Sequence, residues 1–196
     1  MQPVITRIIA GNRVTTHTDL RKAPDRLSLI PGRPLRKTAL ENAIARFGTS
    51  LAAGDGRYRA LEDVLARALP RVDGHTPGAP LDDGADPVAA AQRLAPALSD
   101  SYLVIQGPPG TGKTFTAARA IVALLREGRR VGITSNAHKA IDNLLAAVEA
   151  AADAAGVTFR GVKKAGSTSS IYEGPFVESV FDNGAVPPDA DLIAGT

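Results

Sequence analysis

Residues 107–114 read Gly-Pro-Pro-Gly-Thr-Gly-Lys-Thr, a full match to the pattern G-x-x-x-x-G-K-[ST], and they constrain this chain more than any other segment. Such a loop works at a turn from a strand into a helix, and both flanks have the required character. Tyr102, Leu103, Val104 and Ile105 form a short apolar run suited to a buried parallel strand. Residues 115–126 then place Phe115, Ala118, Ile121, Val122 and Leu125 at helical spacing. At the start of that helix the unpaired N–H groups and the positive end of the dipole face outward, as the oxygens of a triphosphate require.

Roles follow residue by residue. Pro108 and Pro109 lack an N–H and stiffen the loop, so the phosphate cradle is built from the amides of Gly110, Thr111, Gly112, Lys113 and Thr114, with Gly107 opening it and Phe115 adjoining it. Gly110 and Gly112 let the backbone curl. Lys113 is expected to place its charge between the β- and γ-phosphates, and the Thr114 hydroxyl to ligate the Mg²⁺ that bridges them. The expected ligands are therefore ATP and Mg²⁺, with Lys113 and Thr114 as the catalytic pair and Thr114 as the metal ligand.

Composition excludes other classes. With 196 residues, 44% of them hydrophobic, the chain is the size of one domain or of one domain with an appendage. It contains no cysteine, which excludes a disulfide framework, a thiolate zinc site and a cysteine nucleophile, and suits a reducing cytoplasm. The N-terminus lacks a signal peptide's apolar stretch, and no apolar run approaches the roughly 18 residues of a membrane span, so a cytoplasmic protein without membrane contact is expected. Charge is unevenly spread. Residues 1–50 carry nine Lys/Arg against three Asp/Glu, whereas residues 51–100 carry five against eight. A basic N-terminal segment suits a nucleic-acid backbone. It equally suits a solvated surface, since no aromatic residues interleave with the arginines.

Two regions are expected. Residues 1–86 comprise short β-like runs at 4–10, 13–18 and 27–30, with Gly11-Asn12 as a hairpin signal, then helices over 34–47 and 58–69, and a Gly/Pro/Asp-rich stretch over 70–87. In residues 87–196 a helix over about 87–98 precedes the loop. Glu127-Gly128 stops the next helix, and residues 130–134 form a second buried strand. Ser135 and Asn136 can cap a helix over 137–155 whose Ile141, Leu144, Leu145 and Val148 make one apolar stripe, and residues 157–162 can form a further strand. This alternation predicts an α/β fold of the P-loop NTPase (RecA-like) kind, a parallel sheet with flanking helices, incomplete and preceded by a small β/helical N-terminal region.

Residues 105–114, together with 134–144 (Thr-Ser-Asn-Ala-His-Lys-Ala-Ile-Asp-Asn-Leu), resemble motifs I and Ia of superfamily 1B helicases, the group that includes the nonsense-mediated-decay helicase. More narrowly, residues 101–134 and 136–145, with 58–71, resemble the helicase half of bacterial fusions of a RecB-like nuclease with a DEAD/DEAH-type helicase. In that family motif Ia holds backbone phosphates, which implicates Ser135, Asn136 and Lys139 as contacts for single-stranded nucleic acid, with DNA favoured and RNA left open. The reading without that role is a helix cap for Ser135 and Asn136 and a solvated charge for Lys139. Asp142 and Asn143 suit a contact with a neighbouring loop as well as with a ligand, and His138 is assigned no chemistry.

The resemblance implies an ATP-dependent helicase. The glutamine that reads adenine in the family is replaced here by Ala90, with Gln92 two residues displaced. Residues 191–196 resemble the strand leading toward the acidic Asp-Glu motif, so the chain is expected to be the N-terminal part of a motor domain. The acidic motif, the second motor domain and the nuclease domain would then lie elsewhere in the parent chain, and residues 1–196 alone would turn over little ATP. Two other classes fit the loop: a stand-alone ATPase of the clamp-loader or chaperone type, and a nucleotide-binding module without turnover. Residues 135–143 separate the helicase from the former.

Overall fold

The computed structural model describes residues 7–10, 13–16, 37–81, 84 and 86–196. The chain divides into two compact units, residues 1–49 and 50–196. In the first, strands β1 (Arg7–Ala10) and β2 (Arg13–Thr16) pair antiparallel from Arg7 opposite Thr16 to Ala10 opposite Arg13, as the hairpin signal predicts. The β-like run expected over 27–30 lies outside the described residues. Helix α1 (Thr38–Ala53) begins in this unit and ends in the second.

In the second unit, helix α2 (Arg59–Ala66) leaves Leu61, Val64 and Leu65 exposed along its apolar stripe. Residues 68–73 then zip against 97–102. Val72 bridges Leu98, and the Asp73 amide donates to the Ala97 carbonyl at 2.8 Å. Arg71 holds the seam, donating to the Asp100 carbonyl at 2.6 Å and pairing with Asp63 at 2.6 Å. That guanidinium holds the Asp63 carboxyl below the usual carboxylate range. Helix α3 (Pro87–Leu94) starts with Pro87, its missing N–H costing nothing there, and Asp86 caps it by accepting from the Val88 amide at 3.1 Å.

Helices α4 (Lys113–Arg126) and α5 (His138–Ala154) pack on each other and on a four-stranded sheet, and α3 packs on α4. All ladders are parallel, in the order β3 (Val131–Thr134), β6 (Leu192–Gly195), β4 (Gly161–Lys164), β5 (Val177–Val180). Ala118, Val122 and Leu125 from α4, and Ile141, Leu145 and Val148 from α5, meet Ile133, Val177, Leu192 and Ala194 in the core. Glycine stops both helices. After α4, Gly128 takes φ 69° and Arg129 N–H reaches back to the Leu124 carbonyl at 3.0 Å. The α/β parallel-sheet expectation holds, and no helix among the described residues is long and apolar enough to cross a membrane.

The sheet departs from the sequence reading at three points. Residues 102–105 join no ladder, and Val104 is 70% exposed, so the phosphate-loop motif is entered from an extended segment outside the sheet. An apolar run becomes a buried strand only beside an unpaired strand edge, and here the chain leading into it is committed to residues 68–73. Tyr102 itself is tied there through its hydroxyl, 2.7 Å from the Ala68 carbonyl. Secondly, the strand expected over 157–162 forms at Gly161–Lys164, because Val157 is used to close α5, donating to the Ala152 carbonyl at 2.9 Å. Thirdly, β5 and its ladder with β4 were not anticipated from the sequence.

Candidate nucleotide and nucleic-acid site

The helix α4 begins at Lys113, and its first intrahelical bond runs from the Thr116 amide to the Gly112 carbonyl at 2.9 Å. The amides of Lys113, Thr114 and Phe115 therefore precede the helical ladder, and an anion at this terminus meets both these donors and the positive end of the helix dipole. Gly110 and Gly112 hold φ of 83° and 79°, left-handed values that a side chain would strain. They turn the backbone in consecutive steps, so that the loop wraps rather than extends. Pro108, Pro109, Gly110, Thr111, Gly112 and Thr114 are all exposed, and Gly107 and Lys113 are half-buried. The nine residues assigned to the cradle from sequence thus form one continuous surface at the N-terminus of α4.

Side chains brace this turn from within. Lys113 Nζ donates to the carbonyl oxygens of Gly107 at 2.6 Å and Pro108 at 2.7 Å, and Thr111 Oγ1 donates to the same Pro108 carbonyl at 2.8 Å. The ammonium is thereby fixed across the mouth of the loop, and a phosphate taking it must outcompete two neutral carbonyls, which a dianion does readily. Of the amides expected to build the cradle, that of Thr111 donates to the Pro108 carbonyl at 3.4 Å, whereas those of Lys113, Thr114 and Phe115 precede the helical ladder; with the left-handed turns at Gly110 and Gly112 and a cation at the loop, these last fit a triphosphate. Lys113 and the amides would hold the phosphates, and Thr114 would offer its exposed hydroxyl to Mg²⁺, which when bound neutralises charge on the β- and γ-oxygens.

Beside the loop, Phe115 is exposed and the Arg119 Cζ lies 3.2 Å from its ring centroid, an i, i+4 pair that pattern reading left unremarked. Ala90, at the position where the sequence resemblance led us to expect an adenine-reading glutamine, is buried. Gln92 lines a cleft of about 180 Å³ with Arg119, Val122 and Arg126, so it faces the C-terminal half of α4.

The second group of residues sits where β3 ends and α5 begins. Ser135 is half-buried, and Asn136 and Lys139 are exposed. Neither Ser135 nor Asn136 caps α5: the boundary residue is Ala137, in extended conformation, and among the described residues no side chain accepts from the first turn. The cap expectation fails because Ala137 itself takes the turn-in position, leaving Asn136 one residue too early. The first amides of α5 thus remain without a side-chain partner. No hydrogen bond joins Ser135, Asn136 or Lys139 to the loop among the described residues.

Asp142, one turn into α5, contacts a neighbouring strand. It pairs with Lys163 of β4, which is fully buried and also donates to the Ser170 carbonyl at 2.7 Å. This tie fixes the N-terminal half of α5 to the sheet and to residues 166–170. Further along, buried Glu149 accepts from the amides of Phe176 at 2.9 Å and Val177 at 3.1 Å and from the Tyr172 hydroxyl. Burial, and the Glu149 carboxylate beside it, push the Tyr172 phenol up from its ordinary pKa.

Residues 89–163 match the family model of an AAA domain. Over 47 residues the chain is 49% identical to the DNA replication ATP-dependent helicase/nuclease DNA2 of Saccharomyces cerevisiae, a stretch that covers 24% of this chain and 3% of the yeast protein. No solved structure matches the chain. With the α/β sheet, these similarities support a helicase-like, superfamily 1 type of ATPase domain.

Proposed function

We propose that residues 87–196 are the ATP-binding portion of a superfamily 1B helicase motor, with residues 1–86 as an accessory region, and that the parent protein couples ATP hydrolysis to movement on single-stranded nucleic acid. The observation that carries this is the N-terminus of α4, where the amides of Lys113, Thr114 and Phe115 precede the helical ladder, Gly110 and Gly112 hold left-handed φ, and the Lys113 ammonium lies on the loop's own carbonyls. Gly107 to Gly112 shape the turn, Lys113 supplies the charge, and Thr114 supplies the metal-directed hydroxyl.

Ser135, Asn136 and Lys139 form the proposed nucleic-acid contacts. Their support is a parallel strand's carboxyl end running into a helix start whose amides no side chain caps, with an exposed ammonium one residue inside it. The yeast relative is a DNA replication ATP-dependent helicase/nuclease, which favours DNA over RNA and a helicase over a clamp-loader type of ATPase. The phosphate cradle alone supplies binding rather than turnover. Hydrolysis also needs a water-orienting group and a cation for the transferring phosphoryl, and such an arginine is worth about 10³–10⁵ in rate. Residues 1–196 are therefore expected to release phosphate slowly. Fluorescence anisotropy with labelled single-stranded DNA and RNA, with and without Mg-ATP, tests the assignment. Salt-dependent binding of DNA supports it, and no binding of either strand down to low salt contradicts it.

A further inference from the structure

We infer that Phe115, backed by Arg119, is the nucleobase platform of the phosphate-loop site, and that this chain therefore takes purine nucleoside triphosphates by stacking rather than by reading the adenine edge. The inference rests on the proposed phosphate cradle and assigns the part of the ligand that the cradle does not touch.

The face of α4 that packs into the core is lined by Ala118, Val122 and Leu125. Phe115 is off that face and 51% exposed, although the chain has only five phenylalanines and three tyrosines with which to fill a core. An aromatic ring left in water at the second residue after the motif's lysine calls for a partner. Helical side chains lean toward the N-terminus, so the Phe115 ring leans toward the loop and the Arg119 side chain leans toward Phe115. The contact agrees: Arg119 Cζ lies 3.2 Å from the ring centroid, and its Nη1 donates to the Phe115 carbonyl at 3.3 Å. The guanidinium thus covers one face of the ring and fixes its orientation, leaving the opposite face to a stacking partner.

A nucleotide whose phosphates lie on the first amides of α4 must direct its ribose and base away from them, and Phe115 is an exposed aromatic side chain on that first turn. Ala90 brings no hydrogen-bonding group and is buried, and Gln92 lines a cleft with Arg119, Val122 and Arg126 that includes no residue of the loop. A ring face discriminates little between bases, because every base has a π-face, and the larger purines gain most.

The test titrates residues 1–196 with ATP, GTP, CTP and inorganic tripolyphosphate in the presence of Mg²⁺, using wild type, Phe115→Ala and Phe115→Trp. Wild type is expected to bind ATP and GTP within about threefold of each other and about tenfold more tightly than tripolyphosphate, the scale of one stacked base. Phe115→Ala, which keeps the amide at that position, should bring ATP and GTP down to the affinity of tripolyphosphate measured in the same variant, and Phe115→Trp should retain the tenfold difference. Unchanged ATP affinity in Phe115→Ala, with tripolyphosphate still bound, overturns the platform and leaves the cradle standing. A wild-type preference for ATP over GTP of more than about thirtyfold overturns stacking as the basis of recognition. Failure of wild type to bind even tripolyphosphate overturns the cradle and the platform together.

Discussion

Lys163 of β4 and Asp142 of α5 form an ion pair inside the sheet–helix layer, with the lysine side chain wholly buried and a second bond to the Ser170 carbonyl at 2.7 Å. Taking an ammonium out of water is costly, and it is tolerable here because it is paired with a carboxylate and also donates to a backbone carbonyl.

Breaking that pair leaves one charge uncompensated. Lys163→Ala and Asp142→Ala are each expected to destabilise the chain by about 3–5 kcal/mol, whereas the double replacement Lys163→Met with Asp142→Leu recovers most of the loss. Urea denaturation of the three variants measures this. Single variants that unfold at the wild-type midpoint would show the pair to be inert.

Glu149 makes a different kind of tie, serving two backbone amides and a phenol at once. Glu149→Ala orphans the Phe176 and Val177 amides and is expected to cost about 1–3 kcal/mol for each buried donor left unpaired. Glu149→Gln, which keeps an acceptor oxygen, is expected to cost less. The ordering of the two midpoints in urea is the check.

The same cluster sets an alkaline limit. Because the folded state raises the Tyr172 pKa, the neutral phenol contributes stability that is complete below its ordinary value of about 10 and is lost as pH rises from there toward the raised value. Wild type should therefore lose more stability between pH 9 and pH 11 than Tyr172→Phe does. Equal losses in the two proteins would remove Tyr172 from the account.

At the proposed nucleic-acid surface, Lys139 is an exposed ammonium on the first turn of α5. Lys139→Ala is expected to weaken single-stranded binding alike for all sequences and to reduce the slope of log affinity against log salt by about 1. A sequence-dependent loss, or an unchanged slope, would take Lys139 off the phosphate track.

How much of this could be read in the sequence depended on whether the signal was local. Helices α4 and α5 were legible because their apolar positions repeat at helical spacing and glycines close them, Gly128 for α4 and Gly156 for α5. The curl of the phosphate loop was legible too, since Gly110 and Gly112 stand where left-handed φ is required. Pairing between distant segments was not. Residues 102–105 have a strand's composition, yet no local pattern reports that residues 68–73 hold the chain leading into them. Strand β5, Val-Glu-Ser-Val, is half polar and short, and is recognisable only once β4 lies beside it. Lys163 reads as a surface residue until Asp142, 21 residues earlier, is placed against it. Glu149 sits in an alanine-rich helix with nothing nearby in sequence to announce its three partners.

The central claim is that the N-terminus of α4 binds a triphosphate through Lys113, and calorimetric titration of Mg-ATP into wild type and Lys113→Ala tests it most directly. Removing a charge-assisted contact costs about 1.5–3 kcal/mol or more, so the variant is expected to bind at least about tenfold more weakly or not at all. Equal affinity in the two proteins, or no heat of binding in either, would contradict the claim.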